Sequence, residues 1–414
     1  DCHGLPIEQQ VEKKLGKKRR EISKSEFRAL CREYAKKQIT IQKDDFIRLG
    51  VFGDWNKRYA SLDQKFEGDA INGFARIFHN GHVEKGFKPV HWCPECGSSL
   101  AEAEVEYMDK NSTAIDVKFD FDNSSKEKLI KKFNLDEKKT ISLIIWTTTP
   151  WTIPGNQAVC ANSEIEYLIL DSGGEYSLIA SELMESCLNR WSEKTYKSTN
   201  ISFKGSELED LKVLHPLYKR ETPLLFGDHV TTDTGTGFVH TAPAHGVDDF
   251  NVCSNEEIEV INPIAMNNCF KEDVNFFSGV HVRKVDPLVL EELQKNNALV
   301  CQENYHHSCP HCWRHKTPLI FMATPQWFIS MTKSGLIDGA NRAIRDVNFI
   351  PDWGKERMEI MLKDRPDWCI SRQRDLGIPI PLFYKSESGE LHPNQDKIFN
   401  QASEAIKNSG IDSW

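Results

Sequence analysis

Two short cysteine motifs constrain this chain more than any other feature: CPECG, with Cys93 and Cys96, and CPHCW, with Cys309 and Cys312. A CxxC turn lets two thiolates face one ion, and two such turns complete the tetrahedral shell that Zn²⁺ adopts in structural sites. More than two hundred residues separate the pairs, far more than an ordinary zinc ribbon contains. A shared ion would therefore pinch together one segment leaving a host domain and one returning to it. The expected arrangement is a module inserted into a host, with structural Zn²⁺ held by Cys93, Cys96, Cys309 and Cys312 as the clasp at its neck. His306, His307, His311 and His315 crowd the second pair, and one of them replacing a thiolate is the alternative set. Closed coordination leaves no open position for a reactive water, so no catalysis is expected at the clasp.

The texture of the sequence supports an insertion. Ser23, three residues before Glu26, predicts a capping box, and Phe27, Leu30, Cys31, Tyr34 and Ala35 follow at the spacing of one helical face. Ile71, Phe74, Ala75 and Phe78 predict a second helix ending near Gly81. From residue 141 short apolar runs bounded by Gly, Asn, Asp and Pro read as strands, at 141–146, 167–170, 176–180 and 237–241, with a helix near 288–294. After residue 318 the pattern alternates, with a strand-like run at 319–331 and helices near 336–345 and 355–363. The 414 residues suit two or three domains. We expect an α/β host over 1–91 and 325–414, metal-bearing connecting strands at 92–110 and 306–324, and a β-rich module over 111–305.

Charge and cysteine usage narrow the surroundings. The 52 basic and 61 acidic side chains leave a formal net charge of −9, so nucleic-acid contact must use local patches. No run of about 18 apolar residues is present to span a bilayer. The isolated Cys31, Cys160, Cys187 and Cys369 fit a reducing compartment. The chain opens on Asp1 with no signal-peptide pattern, so an internal piece of a cytoplasmic protein is expected.

Two segments carry candidate chemistry. WTTTPWT places Thr147, Thr148, Thr149 and Thr152 around Pro150 and Trp151 at the end of a buried-looking strand, an array suited to positioning a polar group. GTGFVHTAPAHGVDD, residues 235–249, supplies His240, His245, Asp248 and Asp249 behind two glycines. One of the two aspartates is expected to N-cap the acidic helical stretch that follows. Neither an HExxH metal motif nor a GxSxG nucleophile elbow is present.

DCHGLPIE, WTTTPWT followed by Pro154 and Asn156, GTGFVHTAPAHGVDD, HSCPHCWRHKTP, ATPQWF and PDWCISRQR together resemble the bacterial-type isoleucyl-tRNA synthetases, across essentially all of the chain. Thr149 stands where the neighbouring leucine and valine enzymes carry Arg. The resemblance implies a split Rossmann-like class I catalytic domain interrupted by a β-rich, β-barrel-like editing domain on a zinc-ribbon neck. It implies ATP-dependent charging of tRNA(Ile) with isoleucine, ATP entering with Mg²⁺, and hydrolysis of Val-tRNA(Ile), in a monomer. Asp1 would bind the α-ammonium of isoleucine, with Trp327 as one pocket wall. Asp249 would anchor the α-ammonium of misacylated valine, the threonines and Asn156 would hold the terminal adenosine and ester, and His240 would help exclude isoleucine.

Three departures accompany the resemblance. The HxGH signature is expected before Asp1 and KMSKS after Trp414. HNGH at residues 79–82 ends a helical pattern instead of opening a helix, and so reads as a decoy. Leu376 stands where the family usually has Trp, the other pocket wall. A stand-alone deacylase and a degenerate tRNA-binding paralogue remain the alternatives.

Overall fold

The structure, a computed structural model, describes residues 2–191, 196–363 and 365–414. It divides into two units: Asp1–Gly86 with Gln326–Trp414, and Phe87–Pro325.

The first unit is built mainly from helices. Ser23 accepts from the Glu26 amide and the Glu26 carboxylate accepts from the Ser23 amide, which satisfies two otherwise unpaired donors at the start of the helix Lys24–Arg48. Phe27, Cys31 and Ala35 on that helix are buried against Ile7, Val11, Leu62 and Leu376, whereas Leu30, expected on the same face, is exposed. The helix Gln64–His79 packs on Gln395–Ser409 through Ile71, Phe399, Ala402 and Ile406. Gly68 permits the close approach, because a Cβ there would sit 2.7 Å from the Ser403 carbonyl. HNGH follows this helix and precedes the strand Val83–Cys93, the reverse of the order a phosphate-binding turn requires.

The second unit is β-rich. Its larger sheet has six strands in the order Leu299–Cys312, Val105–Asp120, Thr140–Thr147, Glu175–Ala180, Glu166–Asp171 and Lys197–Lys204. The buried run Ile141–Ile145 lies near its centre, antiparallel to Val105–Asp120 and parallel to Glu175–Ala180. A second sheet orders Val239–Thr241, Ala158–Ala161, Glu221–Phe226 and Lys212–Leu214. Ile115, Phe119, Leu143, Ile169, Leu178, Phe238 and Phe277 share one core.

Among the described residues no sheet closes into a barrel, which corrects the barrel-like expectation. Closure requires the first and last strands to pair, and here Leu299–Cys312 and Lys197–Lys204 stand at opposite edges. The two outgoing and returning strands pair with each other from Leu299 opposite Val117 to Cys312 opposite Val105. No described helix is long and apolar enough to cross a membrane.

Candidate functional site

The strand Thr140–Thr147 delivers the threonines to a 3₁₀ turn, Pro150–Gly155, whose leading proline suits a first helical position. Thr147 and Thr149 hydroxyls are 3.1 Å apart, and those of Thr149 and Thr152 3.3 Å. Thr148 is half-buried and its hydroxyl has no partner among the described residues.

His240 closes this chain from the strand Val239–Thr241. Its Nε2 lies 2.9 Å from Thr152 Oγ1 and its Nδ1 2.8 Å from Asn156 Nδ2. The same Asn156 nitrogen donates to the Ala158 carbonyl at 2.7 Å, which fixes it as the amide NH₂. His240 Nδ1 therefore accepts. Burial holds the imidazole pKa down at about 3, so the ring is neutral with its proton on Nε2. That N–H donates to Thr152, whose own hydroxyl donates to the Thr149 carbonyl at 2.8 Å. His240 is thus a fixed donor that orients a hydroxyl, and it has no proton to exchange near neutral pH.

Asp249 sits in the first turn of the helix Val247–Asn255, and its Oδ2 accepts from the Ala242 amide at 2.8 Å. That bond ties it to the same chain segment that carries His240, two residues away. Burial raises the carboxyl pKa, and the Ala242 bond partly opposes this. No ion pair of Asp249 occurs among the described residues; the half-buried carboxylate has His229 as a nearby favourable charge and Asp248 as an unfavourable one. Gly246 leaves it room, since a Cβ there would come within 2.9 Å of the carboxyl group. Asp248 is exposed in the same turn; neither aspartate caps the helix, whose N-cap position is Gly246 without a side-chain bond, so the capping expectation is not met.

The glycine-rich segment is held rigidly. Gly235 and Gly237 have φ of +89° and +82°, and a Cβ on Gly237 would lie 2.3 Å from that of Ala180. Arg190 pairs with the buried Asp116 through two bonds and donates to the Gly235 carbonyl at 3.2 Å. The Tyr167 hydroxyl donates to the Gly237 carbonyl at 2.7 Å.

The metal centre forms with one changed ligand. Cys93, Cys96, Cys312 and His315 place their ligand atoms within 4.8 Å of one another. Bond lengths of about 2.3 Å to sulfur and 2.0–2.1 Å to nitrogen give a tetrahedron with S–S edges of about 3.8 Å and S–N edges of about 3.6 Å. Cys96 and Cys312 sulfurs are 3.8 Å apart, and His315 Nδ1 lies 3.8, 3.1 and 3.8 Å from Cys93, Cys96 and Cys312. Backbone amides of Cys96 and His315 point at the sulfurs of Cys93 and Cys312. These residues fit Zn²⁺. Cys309 does not join them. The strand runs straight through to Cys312, and side chains three apart on a strand face opposite ways. The Cys309 sulfur lies 3.7 Å from His311 Nδ1 instead.

Residues 1–414 match the family described as tRNA synthetases class I (I, L, M and V). The chain belongs to the class I tRNA synthetases. Among curated relatives, the isoleucine--tRNA ligase of Legionella pneumophila (strain Paris) is 50% identical over 415 residues, covering 100% of this chain and 44% of that protein. That of Pseudoalteromonas atlantica is 48% identical over 424 residues, again 100% of this chain and 44% of the relative. This class I synthetase chain thus spans less than half the length of those relatives. Among solved structures, the editing domain of the P. knowlesi cytosolic leucyl-tRNA synthetase aligns with TM-score 0.37 and 13% identity, over 47% of this chain and 98% of that one. At that score the likeness does not bear on the site.

In the other unit of this class I synthetase, Asp1 lies outside the described residues. Trp327 is half-buried, its amide bonded to Ser371 Oγ at 2.9 Å and its ring stacked on Tyr384 at 5.8 Å. Leu376 is buried in the cluster of Ile7, Val11 and Phe27, and its amide donates to the buried Glu8 carboxylate at 2.6 Å.

Sequence reasoning missed two groups. Arg220 donates to the Asn156 carbonyl. Asp286, at the start of the helix Asp286–Lys295, accepts from the Trp151 amide while its Oδ1 is buried without a partner, and burial lifts its pKa to about 6. His315 was within reach, because Cys312 and His315 are themselves spaced as ligands.

Proposed function

We propose that this chain is part of an isoleucine--tRNA ligase. The whole enzyme would activate isoleucine with ATP and Mg²⁺ and transfer it to tRNA(Ile), and the unit Phe87–Pro325 would hydrolyse Val-tRNA(Ile). Isoleucine and valine are the usual illustration that one methylene is worth only about 1–3 kcal/mol in a pocket, too little for translation without a second hydrolytic sieve. The observation that carries the reading is the half-buried Asp249 carboxylate, which has no ion-pair partner among the described residues and is tied through the Ala242 amide to the segment whose neutral His240 fixes the hydroxyl chain.

In this reading Asp249 binds the α-ammonium of the valyl ester, since a buried cation requires a counter-charge. The hydroxyls of Thr147, Thr148, Thr149 and Thr152 hold the adenosine and ester oxygens, with Thr152 oriented by His240 and Asn156. A water attacks the ester carbonyl and the ribose hydroxyl leaves. Zn²⁺ on Cys93, Cys96, Cys312 and His315 serves the fold and takes no part in the reaction. Asp1 and Trp327 would serve isoleucine in the synthetic site, with Leu376 reshaping it, and a monomer in the cytoplasm is the expected state.

The test compares Val-tRNA(Ile) and Ile-tRNA(Ile) deacylation by wild type, Asp249→Asn and Asp249→Ala. Asn keeps an acceptor for the Ala242 amide and removes only the charge. Losing a charge contact in a site costs about 2–5 kcal/mol, so Val-tRNA(Ile) deacylation should fall at least thirtyfold in both variants, with Asp249→Asn melting no lower than wild type. Wild-type hydrolysis by Asp249→Asn would refute the assignment.

A further inference from the structure

Adjoining the 3₁₀ turn that carries Thr152, the second unit contains a cavity of about 510 Å³, inside the usual range for small-ligand sites. Its walls are mostly apolar, with Pro154, Pro223 and Pro263 prominent, and its charged groups are Arg220, Lys271 and Asp273. The amides that line it are already committed. Gln157 bridges the Glu259 carbonyl and the Ile261 amide, and Asn262 bridges the Ala323 carbonyl and the Ile264 amide. The Tyr218 ring already stacks with His215 at 4.7 Å and lies parallel to Phe276 at 6.2 Å.

The cations are different. Arg220 uses a single donor group, toward the Asn156 carbonyl, out of five N–H donors, and no carboxylate pairs with it among the described residues. Arg220 and Lys271 both reach the protein surface, and partial desolvation of the guanidinium lowers its pKa. Lys271 likewise has no side-chain partner among the described residues. A guanidinium fork and a second cation lining one cavity, with one acid among them, suit an oxyanion held through charged hydrogen bonds. The proline walls suit a compact, weakly polar body such as a sugar attached to that anion.

We propose that this cavity is a phosphate-ester site for a nucleotide, and that its occupancy is felt at the hydroxyl chain through Asn156. Arg220 holds the Asn156 carbonyl while the Asn156 side chain holds His240. A phosphate that draws on Arg220 therefore acts on the residue that fixes His240 and, through it, Thr152. The phosphate has two sources, a free nucleotide or the backbone of a bound RNA strand, and the chemistry at Arg220 is the same for both.

Calorimetric titrations of the 414-residue protein with adenosine 5′-monophosphate and with a short single-stranded RNA lacking terminal phosphates separate the sources. Binding of the monophosphate alone assigns a free nucleotide, and binding of the RNA assigns a strand. Arg220→Gln should weaken whichever binds by about tenfold or more, as expected for charged hydrogen bonds. Lys271→Gln, which disturbs no bond of the fold, should weaken it by a few fold. The ring resonances of His240 should shift on binding in the wild type and not in Arg220→Gln. Failure of both probes to bind, or affinity unchanged in both variants, overturns the site. Binding that leaves the His240 resonances in place overturns the coupling. Val-tRNA(Ile) deacylation measured alongside keeps the outcome separate from the editing assignment, because binding here does not require hydrolysis there.

Discussion

Replacing His315 should cost the protein its metal, and replacing Cys309 should not. Three of the four sulfurs named by the CxxC spacing converge with His315 Nδ1 at 3.1–3.8 Å, while Cys309 faces the other side of its strand. Structural zinc sites bind with an apparent ~10–16 kcal/mol at pH 7. One ligand in four is then worth roughly 3 kcal/mol, about a hundredfold in affinity. Zinc competition against a chromogenic chelator at pH 7 reads this directly. His315→Ala should bind about two orders of magnitude more weakly and melt at lower temperature, His315→Cys should recover most of the affinity through a fourth thiolate, and Cys309→Ser should match wild type. If Cys309→Ser lost zinc as readily as His315→Ala, the ligand set argued from the tetrahedron edges would be wrong.

Two further outcomes concern stability. Asp286 has its pKa lifted by burial from 3.8 to about 6, so it favours the fold most below pH 4, and that contribution is lost as pH rises through about 6. Asp286→Asn should therefore stabilise the protein at pH 7 by up to about 3 kcal/mol, at ~1.4 kcal/mol per unit, and have little effect at pH 4; urea midpoints that move equally at both pH values would contradict this. Gly237→Ala places a methyl 2.3 Å from Ala180 at a φ of +82°, so left-handed strain and overpacking should together cost about 2–5 kcal/mol, and an unchanged denaturation midpoint would show that the loop gives way.

What the sequence revealed follows the range of the forces involved. The Ser23–Glu26 box and the face of Phe27, Cys31 and Ala35 are local and were legible, as were the threonine array and the placing of His240. Leu30 escaped burial because a face is buried only where a neighbour covers it. The connecting strands expected at 92–110 and 306–324 run instead over Val105–Asp120 and Leu299–Cys312, and the outgoing one is hard to bound because its residues from Glu106 to Asn111 are exposed and burial begins only at Ala114. Cys309 misled because CxxC implies a turn, and cross-strand pairing with Met108 keeps the backbone extended there. The solitary state of Arg220 and the orphan oxygen of Asp286 depend on what fails to approach them, which no single sequence encodes.

The paired strands bring the two ends of the unit Phe87–Pro325 together. Cys93 and Cys312, more than two hundred residues apart in sequence, meet at one point. To the remainder of the polypeptide this great excursion is therefore no wider than a hairpin loop. Long loops add closure entropy only slowly, and once the ends are pinned that small penalty is already met inside the insert. A sequence organised this way can lengthen, shorten or exchange its excursion between generations without re-spacing the segments on either side.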